Sequence, residues 1–119
     1  MRAARGFTLV EVMVALAIVA VALAAGARAS QAVIENAQRL HEVTAAQWCA
    51  DNQLVGLRLS RVLPGIGDAD FRCEQLGRSW AGQLITRPTP NPNMRRIDAV
   101  VRDEAGHPLV TLTTVISRY

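Results

Sequence analysis

FTLVEVMVALAIVAVALAAGA, Phe7–Ala27, is the stretch whose reading decides the fold. Thr8 and Glu11 are its conspicuously polar side chains, and no proline interrupts it. At 1.5 Å rise per residue, an unbroken helix here spans about 31 Å, roughly one bilayer hydrocarbon core. A short basic leader, Met1-Arg-Ala-Ala-Arg-Gly6, comes first. Arg2 and Arg5 beside the apolar run keep the N-terminus on the cytoplasmic face and send Arg28 onward across. A secretory signal peptide is the competing reading. Ala20-Val21-Ala22 and Ala25-Gly26-Ala27 offer it small-residue cleavage positions, but the run is long for an apolar region of about 7–15 residues.

Glu11 separates the two. A carboxylate in lipid costs a few kcal/mol on insertion scales, so it is there for a reason. The partial positive charge at a helix N-terminus relieves part of that cost. If the chain were cut after Gly6, Phe7 would carry a free amine close to Glu11. A neighbouring subunit's amine would neutralise the carboxylate in a dry interface.

The junction Gly6-Phe7-Thr8-Leu9-Val10-Glu11, behind its basic leader, resembles the type IV pilin superfamily. The match is to the prepilin-peptidase signal: a leader ending in glycine, then Phe, then Glu at the fifth mature position. The resemblance implies cleavage between Gly6 and Phe7 by prepilin peptidase, N-methylation of Phe7, and assembly into a helical fibre with Glu11 as an assembly residue.

Removing leader and span leaves about 90 residues, room for one small domain. Taking Arg2 and Arg5 from the net charge of +3 leaves +1, and no basic stripe interleaved with aromatics marks a nucleic-acid partner. All 13 basic residues are arginine, which carries no function by itself.

From Arg28 to about Val62 helix formers dominate and proline is absent. Leu40, Val43, Ala50, Leu54 and Leu57 share one face at 3–4 spacing. Trp48, Val55, Leu59 and Val62 form a second apolar strip, and both strips read as a core face against a small sheet. Pro64-Gly65 stops the helix, and Ile66–Asp70 reads as a loop. Asp68 and Asp70 there are too few for the six to eight oxygens of a calcium site.

Four strands follow: 71–76, 78–87, 94–103 and 109–117. Gly77, the proline-rich Pro88–Asn93 and the turn 104–108 separate them. Trp80, Gly82 and Leu84 fall on one face of the second. Ile97, Ala99 and Val101 alternate with Arg96, Asp98 and Arg102 in the third, and Val110, Leu112 and Ile116 point inward from the last. Sequential strands with short turns predict an antiparallel sheet packed on the helix, hence an α+β fold. The segments are a leader 1–6, a transmembrane and assembly helix 7–27, its continuation 28–63 and a sheet domain 64–119.

No catalytic constellation emerges, so the chain reads as a non-enzyme without cofactor or metal. His41 and His107 stand in no Cys/His cluster of metal spacing, and Ser30, Ser60, Ser79 and Ser117 lack a nucleophile motif. Pro64-Gly-Ile-Gly67 lacks the Lys and Ser/Thr of a phosphate loop. Cys49 and Cys73 would lie in an oxidising compartment after translocation, where two cysteines in a small domain suggest a bridge stapling helix to first strand. Two buried thiols are the alternative.

Trp48-Cys-Ala-Asp51-Asn52-Gln-Leu54, Arg78-Ser-Trp80 and Met94-Arg95-Arg96-Ile97 narrow the resemblance to the I-type minor pseudopilins of type II secretion. Some minor pilins of type IV pili share the same opening, and they are the alternative function. Arg28 stands where many major pilins carry a helix-kinking proline. The resemblance implies a single-pass inner-membrane protein with a periplasmic C-terminal domain, placed at the pseudopilus tip once assembled. Its partners would be the J-type and K-type minor pseudopilins and the inner-membrane assembly platform. The helix surface left bare by a small sheet, around Val33, Ile34, Ala37, Leu40 and Val43, is the candidate partner-binding face.

Overall fold

A computed structural model describes residues 4–118. Met1, Arg2 and Ala3 of the leader, with Tyr119, lie outside the described residues. One helix, α1 (Leu9–Ser60), is followed by strands β1 (Gly67–Gln75), β2 (Arg78–Pro88), β3 (Met94–Arg102) and β4 (Pro108–Ser117). The strands form one antiparallel sheet in the order β1-β2-β3-β4. The chain divides into two compact units, Met1–Gln38 and Arg39–Tyr119.

In the first unit, helical residues from Leu9 onward are exposed throughout, and the segment is long and apolar enough to cross a membrane. Its start is a capping box. The Thr8 N–H donates to Glu11 Oε2 at 2.9 Å, and the Glu11 N–H donates to Thr8 Oγ1 at 3.2 Å. Two of the amides left without intrahelical partners are thereby satisfied.

In the second unit, Arg39–Ser60 packs on the sheet through Ala45, Ala46, Cys49, Ala50 and Leu54, facing Trp80, Ile97, Ala99, Val101 and Ile116. Leu57 and Leu84 pack at its margin. The spacing of those helix residues is that of a single helical face. Three of the five are alanines, so the helix backbone can approach the strands closely. Ala45, Ala46 and Cys49 were absent from the face expected from the large residues, because alanine carries too little apolar area to stand out. The second expected strip is not core. Trp48 is 50%, Val55 44%, Leu59 77% and Val62 64% exposed. At about 100° per residue Trp48, Val55 and Leu59 lie on the side of the helix opposite Ala46, Cys49 and Ala50, so no rotation buries both sets against one sheet.

The helix ends at Ser60, earlier than the proline requires. Arg61 adopts a left-handed φ of 54°, its N–H bonds the Arg58 carbonyl at 3.3 Å, and Ser60 Oγ donates to the Leu57 carbonyl at 2.7 Å. A left-handed residue just past the last turn is a regular helix stop, here without glycine. β1 begins at Gly67 rather than Phe71, so the expected loop over Ile66–Asp70 is mostly strand. Asp68, Ala69 and Asp70 pair with Ile85, Leu84 and Gln83 of β2, and that pairing overrides the poor strand propensity of Gly-Asp-Ala-Asp. The β1–β2 hairpin turns on Leu76 (φ 51°) and Gly77 (φ 75°), a two-residue loop with both central residues left-handed.

Cys49 and Cys73 form a disulfide with Cα atoms 6.1 Å apart, which joins the helix to the first strand. The Phe71 ring lies over Gly82, its cross-strand partner, where any Cβ would overlap it. Gly82→Val should therefore push the ring out of the core margin and cost about 1–3 kcal/mol, the usual range for overpacking. A urea titration followed by tryptophan emission measures it, and an unchanged midpoint would refute the close packing of Phe71 on residue 82.

Candidate assembly site

Gly6 and Phe7 precede the first helical turn and are exposed, so the peptide bond between them is open to a protease. Phe7, Glu11, Val12, Ala15, Leu16 and Val19 line a shallow concavity of about 490 Å³ along the helix. Glu11 is the carboxylate on this otherwise apolar surface. Its Oε2 accepts from the Thr8 N–H, so the lone chain gives the carboxylate one partner from within. The residue pattern Thr8-Leu9-Val10-Glu11 spells out the capping box, a structural role for Glu11 that the search for a membrane charge passes over.

Of the candidate partner-binding residues, Val33, Ile34 and Ala37 lie in the first unit and are exposed. Leu40, 67% exposed, and the half-buried Val43 belong to the second. The structure adds Trp48, Val55 and Leu59 to the uncovered apolar helix surface of that second unit.

Arg78 fastens this part of the helix to the sheet. Its guanidinium donates to Glu42 Oε1 of α1 at 3.0 Å and to Glu104 Oε1 of the β3–β4 turn at 3.3 Å, and stacks 4.8 Å from the Trp80 ring centroid. The hydrogen bond to Glu42 raises its pKa above the ordinary guanidinium value, against the lowering effect of burial, with Glu104 adding to the rise. The Trp80 indole N–H donates to the Gln75 carbonyl at 3.3 Å. The Arg78-Ser-Trp80 motif is thus a helix-to-sheet clasp. Met94-Arg95-Arg96-Ile97 opens β3: Ile97 is fully buried, and Arg96 Nε donates to Asp98 Oδ1 at 3.2 Å on the outer face. Among the described residues no group of three or more His, Cys, Asp or Glu is arranged to hold a metal ion.

Residues 40–117, the helix end and the whole sheet, match the family described as Type II secretion system (T2SS), protein I. The chain belongs to the type II secretion system protein I family. Residues 1–27 match the prokaryotic N-terminal methylation motif, which covers Gly6, Phe7 and Glu11. A protein I from Pseudomonas aeruginosa is 42% identical over 97 residues, covering 82% of this chain and 75% of that protein. One from Klebsiella pneumoniae is 34% identical over 119 residues, 98% of each. One from Vibrio cholerae is 34% identical over 119 residues, 98% of this chain and 99% of the other. The likeness runs end to end, so the protein I family accounts for the helix and the sheet together.

Proposed function

We propose that the chain is a minor pseudopilin, a non-catalytic subunit near the tip of the type II secretion pseudopilus that helps start its assembly and the export of folded proteins. The observation that carries this reading is a methylation motif over residues 1–27 followed, in the same chain, by a protein I match over residues 40–117. Residues 1–6 are a leader removed by prepilin peptidase, 7–27 the membrane and assembly helix, 28–63 its continuation and 64–119 the sheet domain. The span anchors the chain in the inner membrane once, and the sheet domain faces the periplasm. Released Phe7 is N-methylated, and Glu11 leaves its own cap to meet the amine of a neighbouring subunit. The uncovered apolar helix residues Val33, Ile34, Ala37 and Leu40, with Val43 at their edge, meet the helices of the J-type and K-type subunits, and the inner-membrane platform drives the assembly. The secretion-system family match favours this role over that of a minor pilin in a type IV pilus.

Intact-mass analysis of chain purified from host membranes tests the processing. The expected species begins at N-methyl-Phe7. A start near Ala22 or Arg28 would show an ordinary signal peptidase at work and end the pseudopilin reading.

A further inference from the structure

The two edges of the sheet differ in a way that the helix-centred assembly leaves unused. β1 is a charged edge: Asp68, Asp70, Arg72 and Glu74 are spaced by twos along one face, and like charges set opposite one another across two such edges would disfavour their pairing. β4 is the opposite edge, and its ten residues, PLVTLTTVIS, contain no charged side chain. Threonine and branched apolar residues fill it, the composition that pairs best with another strand. Among the described residues its outer side has no strand partner.

One hydrogen bond sets which groups that side presents. In an antiparallel pair, residues alternate between turning N–H and C=O toward the partner strand and turning both away. The Arg118 N–H donates to the Asn93 carbonyl at 2.8 Å, continuing the register Met94↔Ser117. Stepping back by twos, Ile116, Thr114 and Leu112 bond inward to Arg95, Ile97 and Ala99. Thr111, Thr113, Val115 and Ser117 therefore turn their main-chain donors and acceptors to the open side.

We propose that this open side of β4 is a strand-addition interface that receives the first strand of a neighbouring subunit of the same fold. The proposal rests on the reading of the chain as a co-assembling subunit. The strand count selects the occupant. Four antiparallel strands leave β1 and β4 running in opposite directions. A second subunit with the same element order, standing in the same orientation, brings its own first strand against β4 antiparallel. Pairing β4 with β4 of a second copy about a two-fold axis would instead run the two α1 segments in opposite directions, which chains entering from one membrane face cannot adopt. Charge agrees with the choice. A first strand with acidic and basic residues on its outer face, as here, meets only Thr111, Thr113 and Val115, so neither sign is repelled. The contact is head-to-tail, which extends a row of subunits rather than closing a dimer.

The test uses the full chain in host membranes with its secretion system intact. A photo-crosslinking residue replaces Thr113, and a separate chain carries one at Leu40. The expected result is a Thr113 adduct mapping to the first strand of another subunit. Val115→Pro removes a donor that faces outward only. It should cut that adduct at least tenfold while the Cys49–Cys73 bond still forms. Thr111→Glu, which sets a carboxylate against a first strand carrying three acidic residues and one basic one without touching the inward ladder, should do the same and carries the test if the proline variant does not fold. Adducts from Leu40 without any from Thr113 would overturn strand addition and leave helix-mediated assembly standing. Loss of both would overturn the two together. A Thr113 adduct to β4 of a second copy, or a yield unchanged in both edge variants, would also overturn it.

Discussion

Replacing Cys49 and Cys73 together by alanine should lower the unfolding free energy of the sheet unit by roughly 3 kcal/mol, the chain-entropy value for closing a loop of about 25 residues. The bond spans 24 positions of sequence and joins the fully buried Cys49 of α1 to Cys73 of an edge strand. A unit of about 80 residues is stable by roughly 4–12 kcal/mol, so this one linkage is a large share of the total. Its share is raised by the helix face it fastens. Ala45, Ala46 and Ala50 bury little area each, at about 25 cal/mol per Å². Urea titration with and without reductant measures the loss. Thiol labelling of the denatured, unreduced protein should find no free thiol. Two thiols per chain would refute the bridge, and a midpoint insensitive to reductant would refute its contribution.

Glu11→Ala should leave insertion intact, or ease it, and reduce secretion at least about tenfold at native expression. A lone carboxylate in lipid costs about 2.5–3.5 kcal/mol, which alanine removes. Taking one member from a buried charge pair costs about 3–5 kcal/mol at the contact itself, where 1.4 kcal/mol is already a factor of ten. The capping box allows capping to be told apart from the proposed assembly role of the side chain. Glu11→Gln keeps a capping side chain at the third helical position and loses only the charge. Thr8→Ala loses the cap, worth about 1 kcal/mol, and keeps the charge. Secretion should fail in the glutamine variant and largely survive in the Thr8 variant. Normal secretion with Glu11→Gln would show that the carboxylate acts only as a cap.

Much of the fold was legible because it follows from periodicity. The apolar run of Phe7–Ala27, the alternation of Ile97, Ala99 and Val101, and the inward set Val110, Leu112 and Ile116 all state their geometry in residue spacing. What escaped depends on partners distant in sequence. β1 starts at Gly67 only because Leu84, Ile85 and Thr86 are there to pair with. Leu76 takes a left-handed φ although it is itself neither asparagine nor glycine, so Gly77 alone announced the turn. Size misled in part at the helix: Leu54 and Leu57 meet the sheet as expected, but most of that face is alanine and cysteine, and Trp48, Val55 and Leu59 face away. At the N-terminus the motif over Gly6, Phe7 and Glu11 was plain in the sequence and is matched by the methylation family, whereas the pairing of Glu11 with Thr8 needed coordinates.

The covalent tie between α1 and β1 also decides how the second unit bears mechanical load. A face that is mostly alanine offers few interlocking ridges, so packing alone resists a pull along the helix axis less than a face of large side chains would. The Cys49–Cys73 bond passes that pull directly into β1, whose pairing with β2 runs from Gly67↔Thr86 to Gln75↔Arg78. Tension along the helix is thus carried into the backbone ladder of β1 and β2 as well as into side-chain packing. The Arg58 guanidinium, donating to Thr114 Oγ1, ties the far end of the helix to β4. A subunit hauled by its helix would drag its sheet along as cargo on a fixed coupling.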